Sequence, residues 1–294
     1  MAGSVIVSAS YRTDIPAFYA AWFMHRLAAG YCHVANPYGG PDYSVSLMPN
    51  DVGGFVFWTR NMRPLLGVLD AVRAVAPFVV QFTITGYPRV LEGSVIAPGE
   101  ALAQVAELRR RFGARAVIWR YDPIVFTDAL DTAAHVARFA GLARDLAGLV
   151  DEVVLSVVHP YRKSRRNLDR AAGEGGFAWR DPPDDEKRAL LNDLGVLAQE
   201  HGLSPRLCSQ PELLMPGLSE ARCIDAERLS DIAQQPLAVK QLGNRPGCRC
   251  ALSRDIGCYD SCPHGCVYCY AVRDRDRAVA NYRRHDPEAP RLQP

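Results

Sequence analysis

The sequence predicts an α/β protein built as a partial (β/α)6 TIM-like barrel with a cysteine-rich C-terminal cap. Six short apolar runs, most of them followed by a stretch with helical character, alternate through the first two-thirds of the chain. Such units favour a parallel sheet with right-handed crossovers, and continuously apolar strands indicate burial on both faces. Eight of the nine cysteines lie after residue 207. An open, doubly wound sheet is the alternative arrangement of the same units, and we favour the barrel.

The strands are assigned from short runs of apolar, mostly β-branched and aromatic residues. The six runs predicted to form the barrel sheet are residues 5–8, 54–59, 78–85, 116–120, 153–158 and 205–209. The last of these runs is shorter and weaker than the others. A small β excursion outside the sheet is predicted at residues 31–35 and 43–47, on either side of a turn rich in proline and glycine.

The helices are placed by apolar periodicity, capping residues and terminating glycines. They are predicted at residues 17–29, 64–75, 99–112, from Thr127 or Asp128 to 146, and at 184–201. The barrel domain is assigned to residues 1–234, with its sheet within about 4–230, and the cap with a basic tail to residues 235–294. From Asp274 onward the tail is charged and then rich in proline, so we expect it to fray.

The bulk composition is that of an ordinary soluble globular protein. The 294 residues are 48% hydrophobic and 22% charged, and the net charge of +2 is too small to indicate nucleic-acid binding by itself. The sequence shows neither a signal pattern at its N-terminus nor a run of roughly 20 apolar residues, the length of a membrane span. We therefore expect a cytoplasmic protein with reduced thiols and no membrane partner.

Polar side chains cluster where the predicted strands end, which is where the working residues of parallel α/β folds lie. The catalytic candidates are Arg12, Asp14, Arg60, Arg120, Asp122 and His159, and Ser8 and Trp58 are candidates for cofactor binding. Arginines gathered at one mouth suit a polar or anionic ligand, since an arginine can bind a carboxylate bidentately. The alternative is that Arg12 with Asp14, and Arg120 with Asp122, form plain surface salt bridges.

The stretch Cys262-Pro-His-Gly-Cys266-Val-Tyr-Cys269 is the most specific pattern in the chain. Its CxxxCxxC spacing lets one tight loop aim three sulfurs at a common point. Three ligands leave one position of a metal site open, which a reactive cluster needs and a structural zinc site lacks. The alternative is a zinc knuckle completed by another cysteine or by His264, although zinc ligands typically come in CxxC pairs.

Four further cysteines in the last third of the chain suggest a second metal site. They are Cys208, Cys223, Cys248 and Cys250. Four thiolates complete a closed site, either an auxiliary [4Fe–4S] cluster or a structural zinc, and isolated free thiols are the alternative. Cys258 is close enough in sequence to compete as a ligand. Cys32 is remote from the others and is expected to pack as a small hydrophobic residue.

The CxxxCxxC stretch, with an aromatic residue before its last cysteine, closely resembles the cluster motif of the radical S-adenosylmethionine (SAM) enzymes. The resemblance implies that Cys262, Cys266 and Cys269 hold a [4Fe–4S] cluster, that SAM chelates the fourth iron, and that Tyr268 packs against the adenine or the cluster. It also implies the partial barrel, an electron donor such as ferredoxin or flavodoxin, and reductive cleavage of SAM to methionine and a 5′-deoxyadenosyl radical.

Over nearly its full length the chain resembles the domain-of-unknown-function 1848 family, which is regarded as radical-SAM-like and has no established substrate. The stretches that carry the likeness are Ser8-Ala-Ser-Tyr-Arg-Thr-Asp-Ile-Pro16, Phe57-Trp-Thr-Arg-Asn61, Trp119-Arg-Tyr-Asp-Pro123 and residues 255–271. In ordinary radical SAM enzymes the cysteine motif follows the first strand, whereas here only 25 residues follow Cys269. The cluster would therefore reach the mouth from the opposite end of the chain, like a lid. The glycine-rich motif that follows the second strand in those enzymes is missing there.

Three functions remain open on the sequence. The first is a radical SAM enzyme that acts on a substrate held by Arg12, Arg60 or Arg120. The second is nucleic-acid lesion repair by the same radical chemistry, supported by a local likeness to photoproduct-repairing lyases and by a predicted basic loop at residues 162–166 with Arg170. The third is a non-enzymatic iron–sulfur or zinc protein, which needs no SAM pocket.

Overall fold

The computed structural model describes residues 5–36, 39–243 and 245–292. Its strands are β1 (Val5–Ala9), β2 (Tyr31–Val34), β3 (Tyr43–Ser46), β4 (Val52–Thr59), β5 (Phe78–Thr83), β6 (Val117–Ile124), β7 (Phe126–Thr127), β8 (Glu152–Val157), β9 (Trp179–Arg180), β10 (Ser204–Leu207), β11 (Ser219–Glu220) and β12 (Ser253–Asp255). Its α-helices are α1 (Ile15–Phe18), α2 (Ala20–Ala29), α3 (Arg63–Leu66), α4 (Leu69–Val75), α5 (Pro98–Phe112), α6 (Thr132–Leu146), α7 (Arg162–Gly175), α8 (Asp184–Glu200), α9 (Ala226–Ala233) and α10 (Arg275–Arg283).

The main sheet has eight strands, of which the first seven lie in the sheet in the order they have in the chain, while the last, β12, pairs with β1. Beginning at one edge, the order is β11-β10-β8-β6-β5-β4-β1-β12, and every pair is parallel. Because the last strand lies beside the first, the sheet has the strand order of a rolled (β/α)8 barrel. Within the described residues no hydrogen-bonded pair joins β11 to β12, so the barrel is open along one seam.

The parallel α/β architecture is confirmed, but the predicted (β/α)6 sheet is two strands too small. The two strands that the prediction missed are β11, with two residues, and β12, with three, which are too short to show a period. The last of them lies within the segment predicted as the cap, so the sheet continues past residue 234. The small antiparallel excursion of β2 with β3 is present as predicted.

Residues of the outer face of the sheet pack against the helices in an apolar layer. Phe23 of α2 meets Phe55 edge to face with ring centroids 5.6 Å apart, and Trp119 stacks on Phe139 of α6 at 4.8 Å. All four side chains are fully buried, and each contributes about 1.5–3 kcal/mol through the burial of its apolar surface. Because this layer places apolar residues at regular intervals, the sequence showed the periods of the helices and strands.

The inner face of the sheet changes character along the strands. Towards the amino ends of the strands lies an apolar cluster formed by Ile6, Val56, Val79, Ile118, Val154 and Leu229. Leu229 belongs to α9, and a Cβ on Gly54 would come within 2.8 Å of its methyl groups, so the glycine makes room for the helix. Two positions further along the same five strands stand Ser8, Trp58, Gln81, Arg120 and Ser156. The sheet therefore presents a polar mouth at its carboxyl end.

Two segments differ from their predictions. The basic residues at 162–166, predicted as a loop, form the first turns of α7, whose Asn167 donates a hydrogen bond to the Val272 carbonyl at 3.2 Å. The tail expected to fray forms α10, capped by Asp274, and then packs back on α2, where Trp22 Nε1 donates to the Ala289 carbonyl at 2.9 Å. Both segments are rich in charged residues and have few apolar ones, so their packing could not be predicted from the sequence.

Helix α6 begins later than predicted. Its N-cap is Asp131, which accepts a hydrogen bond from the Ala134 amide, whereas Thr127 lies in β7 and pairs with β9. Across the described parts of the chain, the helices are all too short or too polar to cross a lipid bilayer.

Candidate functional site

Asp14 fixes the cysteine-bearing loop to the ends of the first two strands of the barrel. Its Oδ1 accepts hydrogen bonds from the Ala17 amide at 2.9 Å and from Thr59 Oγ1 at 2.7 Å. Its Oδ2 accepts from the Arg60 amide at 2.8 Å and lies 2.8 Å from His264 Nε2. With four donors around one buried carboxylate, Asp14 is a positioning residue in this structure. His264 is thereby engaged with a carboxylate.

The loop that carries Cys262 and Cys266 is also bonded to the loop after β5. The Val267 amide donates to the Leu91 carbonyl at 3.0 Å, and the Ser94 amide donates to the His264 carbonyl at 2.8 Å. Between them, Gly265 has a φ of 74°, a left-handed conformation that favours glycine. The cysteine loop is therefore held against the mouth by backbone pairing.

Cys262, Cys266 and Cys269, the cysteine triad, are half-buried, and they are near enough for the charges of Cys266 and Cys269 to act on Cys262. Burial raises the pKa of all three thiols, to about 12 for Cys266. Beyond burial, the negative charge of Asp14 and that of the other two sulfurs raise the pKa of Cys262 further. The Cys269 amide donates to the Cys266 carbonyl at 3.1 Å, which closes a tight turn. Because their pKa values are raised, the three thiols keep their protons at neutral pH unless a metal cation binds them.

Arg60, Glu92 and Tyr268 form a buried network beside the triad. Arg60 donates to Glu92 Oε1 at 2.8 Å and to the Tyr268 hydroxyl at 2.6 Å, and that hydroxyl donates to Glu92. Burial raises the pKa of Tyr268, so its hydroxyl keeps its proton. Burial lowers the pKa of Arg60, but the carboxylate of Glu92 more than reverses this, so the guanidinium stays charged.

Arg12 and Ser8 meet on Asp255, a carboxylate of β12. Arg12 Nε donates to Asp255 Oδ1 at 2.7 Å, and Ser8 Oγ donates to Asp255 Oδ2 at 2.8 Å. The Arg12 guanidinium also lies 5.6 Å from the centre of the Tyr259 ring. The salt-bridge alternative paired Arg12 with Asp14, two residues away, but the structure pairs it with a residue 243 positions further along the chain.

Arg120 is paired with Asp122, as the salt-bridge alternative predicted, and both residues face the mouth. Its NH2 lies 2.5 Å from Asp122 Oδ2, and its guanidinium lies 4.8 Å from the centre of the Trp58 ring. Trp58 Nε1 in turn donates to Ser8 Oγ at 3.2 Å. The pair is mostly buried instead of lying on the surface, and the network links the Arg120 side of the mouth to the Arg12 side.

Cys208, Cys223, Cys248 and Cys250 form a second group, the four-cysteine group, beside the open seam. Cys208 follows β10, Cys223 follows β11, and the other two precede β12. The sulfurs of Cys208 and Cys223 lie 3.6 Å apart, and side-chain hydrogen bonds continue from Cys223 to Cys250 and from Cys250 to Cys248. The four thiols thus form one continuous row.

Two arginines and a backbone amide donate hydrogen bonds to sulfurs of this group. Arg120 NH1 lies 3.1 Å from the Cys223 sulfur, and Arg245 NH2 lies 3.4 Å from the Cys208 sulfur. The Ile224 amide donates to the Cys250 sulfur at 3.4 Å. Donors of this kind favour sulfur in its anionic form, the form that binds metals.

In neither cysteine group do the side chains of the described residues have the arrangement of a metal-binding site. Within residues 5–36, 39–243 and 245–292, no three His, Cys, Asp or Glu side chains are arranged so that they could hold a metal ion. The donor types fit, since clusters of thiolates are the ligands of iron–sulfur clusters and of structural zinc. The fit therefore rests on donor chemistry and proximity, and a bound metal would have to draw the sulfurs around itself.

Of the remaining predicted residues, His159 and Cys32 take no part in these networks within the described residues, whereas Cys258 lies near enough to Arg12 for its charge to act on the thiol. His159 is exposed and packs edge to face on Tyr161 with ring centroids 4.4 Å apart, and its side chain does not reach the buried networks. Cys258 is half-buried, and burial raises the pKa of its thiol. Cys32 is fully buried in the apolar core, the place expected for a packing residue.

Sequence reasoning missed several residues that the fold brings to the mouth. Glu92 and Asp255 supply the carboxylates for two predicted arginines, Arg245 supplies an unpredicted cation, and Lys163 was predicted only as part of the basic stretch 162–166. A buried acid in a loop leaves no periodic signal. Asp255 alone could have been suspected, because it begins the stretch 255–271 that carries the family likeness.

The family described as a domain of unknown function, DUF1848, matches residues 6–271 of the chain. No curated protein matches the sequence. The family description gives no activity and does not mention radical SAM chemistry.

Solved structures of D-hydantoinases and of a dihydropyrimidinase are similar to the chain at low scores. A D-hydantoinase from a Bacillus sp. AR9 has 9% identity and a TM-score of 0.33, covering 79% of this chain and 44% of that one. Dihydropyrimidinase from Brevibacillus agri NCHU1002 has 10% identity and a TM-score of 0.29, covering 74% and 39%. The chain spans less than half the length of these proteins, and at such scores no property passes from them to this chain.

Proposed function

We propose a function for this chain, which belongs to the DUF1848 family, from the cysteines at its barrel mouth. It is a radical-SAM-like iron–sulfur enzyme, and Cys262, Cys266 and Cys269 are the ligands of a [4Fe–4S] cluster with one open iron. The observation that carries the proposal is the position of the triad. The loop that carries the three thiols is hydrogen-bonded to the segments that follow β1 and β5 at a polar barrel mouth, where enzymes of parallel α/β folds place their chemistry.

With SAM on the open iron, such a cluster supplies one electron that splits SAM into methionine and a 5′-deoxyadenosyl radical. The chain's own residues hold this site in place. Asp14 and His264 fix the loop, while Arg60 and Glu92 hold the Tyr268 hydroxyl beside the triad. The mouth then confines a polar or anionic substrate near the cluster. An external one-electron donor, such as ferredoxin or flavodoxin, completes the balance.

The test is formation of 5′-deoxyadenosine by protein reconstituted with iron and sulfide under anaerobic conditions and reduced with dithionite. Mass spectrometry should find 5′-deoxyadenosine and methionine in equal amounts, and Cys266→Ser should abolish both. The matched control is Cys32→Ser, which changes a cysteine that is fully buried in the apolar core and belongs to neither cysteine group. If protein with a fully loaded cluster forms no 5′-deoxyadenosine, the proposed radical activity is ruled out.

The four-cysteine group is proposed to hold a second metal centre, either an auxiliary [4Fe–4S] cluster or a zinc ion. The support is the row of four thiols with arginine donors on two of its sulfurs. Four thiolates leave no open position, so this centre would serve structure or electron transfer. Zinc and iron analysis of a variant lacking Cys223 decides between an occupied site and free thiols.

Nucleic-acid lesion repair is a second candidate, because the basic residues that suggested it lie close to the triad. Helix α7 contacts the segment just after Cys269, with Arg170 3.4 Å from Asp274. Arg162 and Arg166 are exposed and form no ion pair within the described residues. Binding to DNA that weakens steeply with salt would support this candidate, and an absence of binding at moderate salt would exclude it.

A non-enzymatic iron–sulfur or zinc protein is the third candidate. It is supported by the sequence's lack of the usual glycine-rich SAM motif and by the donor set of the four-cysteine group. The 5′-deoxyadenosine assay separates it from the first two candidates, since a loaded metal protein of this kind produces none.

A further inference from the structure

The three arginines predicted to hold an anionic substrate are each neutralised by a carboxylate. Arg12 lies 2.7 Å from Asp255, Arg60 lies 2.8 Å from Glu92, and Arg120 lies 2.5 Å from Asp122. All three guanidinium groups are at most one-tenth exposed. Recruiting any of them for an anion would break a buried ion pair and leave its carboxylate buried without a cation, which is strongly unfavourable.

Lys163 is a mouth cation without such a carboxylate. It lies in the first turn of α7, half-buried, and within the described residues it forms no ion pair with an acid. Its ammonium lies 5.2 Å from the centre of the Tyr259 ring, the same ring that Arg12 approaches at 5.6 Å. Its positive charge also lowers the pKa of the Cys269 thiol, which places it close to the triad.

Arg245 is the corresponding cation on the side of the four-cysteine group. Its NH2 lies 3.4 Å from the Cys208 sulfur, and its side chain is hydrogen-bonded to Tyr161, two residues before Lys163. It forms no ion pair within the described part of the chain, and the nearest acid acting on it is Asp122, already paired with Arg120. The charge of Arg245 acts on Tyr270 and that of Lys163 on Cys269, the residue before it, so both cations lie near this end of the triad.

We propose that Lys163 and Arg245 bind a carboxylate or phosphate group of the substrate and hold it between the two cysteine groups. The substrate is then a small anionic molecule. The two cations lie on separate elements, lack carboxylate partners and are beside arginines that already have theirs. An anion can therefore bind both cations without breaking an existing ion pair. This assignment deepens the radical-SAM-like function, on which its meaning as a substrate site rests, but the binding itself needs no radical chemistry.

The experiment uses a property of the sequence, which has only the lysines Lys163, Lys187 and Lys240. The metal-loaded protein is acylated with an amine-reactive ester, with and without inorganic pyrophosphate or citrate, and each lysine is followed by mass spectrometry. At ten times its Kd, a bound anion slows acylation of Lys163 about tenfold. Lys240, which is exposed and forms no ion pair within the described residues, is the internal control and should react at an unchanged rate.

Variants separate charge from shape at this site. Lys163→Met and Arg245→Met should weaken anion binding in calorimetry at least tenfold, Lys163→Arg should restore most of it, and Lys240→Met should change nothing. Acylation rates of Lys163 and Lys240 that respond equally to both anions would overturn the proposal. Protection of Lys163 by a single-stranded oligonucleotide alone would also overturn it, in favour of a nucleic-acid surface.

The same footprint on Cys266→Ser protein distinguishes this proposal from the radical-SAM-like function. If anions still protect Lys163 in that variant but the wild-type protein forms no 5′-deoxyadenosine, the anion site is supported and the proposed reaction is ruled out. If the wild-type protein forms 5′-deoxyadenosine but anions do not protect Lys163, the reaction is supported and the anion site is ruled out.

Discussion

The two cysteine groups at the barrel mouth differ in how the chain assembles them. The triad spans eight residues, 262–269, so one loop is enough to bring its sulfurs together. The four-cysteine group draws on residues 208–250, and only the neighbourhood of β10, β11 and β12 makes it a group. Their surroundings differ as well, because Asp14 and Glu92 lie beside the triad while arginines donate to sulfurs of the other group. The difference suggests reactive chemistry at the triad and a supporting role at the four-cysteine group.

The largest expected effect comes from removing one thiol of the triad. Cys266→Ser should abolish 5′-deoxyadenosine formation, since two cysteines cannot hold a cluster with a single open iron. Product is measured by mass spectrometry after anaerobic reconstitution. Cys223→Ser, in the four-cysteine group, should retain the ability to cleave SAM at a measurable rate. If both variants lose the product equally, the contrast between the two groups is wrong.

The second effect concerns the metal in the four-cysteine group. Cys223→Ser should remove that metal while leaving the iron of the triad in place, and elemental analysis measures both. Where free metal exceeds its Kd about a thousandfold, the lost binding lowers the free energy of unfolding by about 4 kcal/mol. Cys32→Ser is the matched control, since it also places a hydroxyl at a buried position. Unchanged metal content in Cys223→Ser would show that these thiols are free.

The third effect tests whether the acidic surroundings of the triad are structural. Glu92→Ala leaves the Arg60 guanidinium buried without its carboxylate, which should cost about 3 kcal/mol in the free energy of unfolding, measured by urea denaturation. The control is Glu220→Ala at the half-exposed pair with Arg249, where a loss below about 1 kcal/mol is expected. Similar losses in the two variants would contradict a buried, structural pair beside the triad.

The smallest effect lies away from both groups, in the outer apolar layer. Burial lowers the pKa of His135 to about 4, and its ring contacts the Tyr121 hydroxyl and the Val125 carbonyl. Because the folded pKa lies below the unfolded value of about 6.5, the stabilisation is present above pH 6.5 and is lost as the pH falls towards 4. The loss should reach about 2 kcal/mol at pH 5.

Unfolding free energies of the wild type and His135→Gln across pH 4–8 measure that slope. The variant should lose less stability than the wild type over this range. Parallel curves would place the acid sensitivity of the fold elsewhere, for example at the mouth carboxylates.

The sequence was informative wherever apolar side chains repeat regularly. The five long strands and their covering helices were predicted within a few residues, because their outer faces, such as Phe55 and Trp119, pack on helices with a clear period. Once these strands were predicted, the polar residues at their carboxyl ends could be predicted to lie close together. In contrast, β11 and β12 are too short to show a period, and the charged sequence of α7 hid its packing on Val272.

The cysteines of the candidate site could be proposed from the sequence, but the pairings around them could not. The spacing of Cys262, Cys266 and Cys269 alone predicted that they act together, and their role as metal ligands stays a prediction. The partners of Arg12 and Arg60 could not be found in this way, because Asp255 and Glu92 approach them from distant segments only after the sheet has formed. For the same reason, the contact of 3.6 Å between the sulfurs of Cys208 and Cys223 has no signature in their sequence spacing.

The most direct measurement is iron, acid-labile sulfide and zinc per chain in anaerobically purified wild-type protein and in a variant with Cys262, Cys266 and Cys269 all changed to serine. If the triad holds a [4Fe–4S] cluster, the variant should lose about four irons and four sulfides and keep the metal of the four-cysteine group. Equal iron in the two proteins, or zinc as the sole metal in the wild type, would contradict the account.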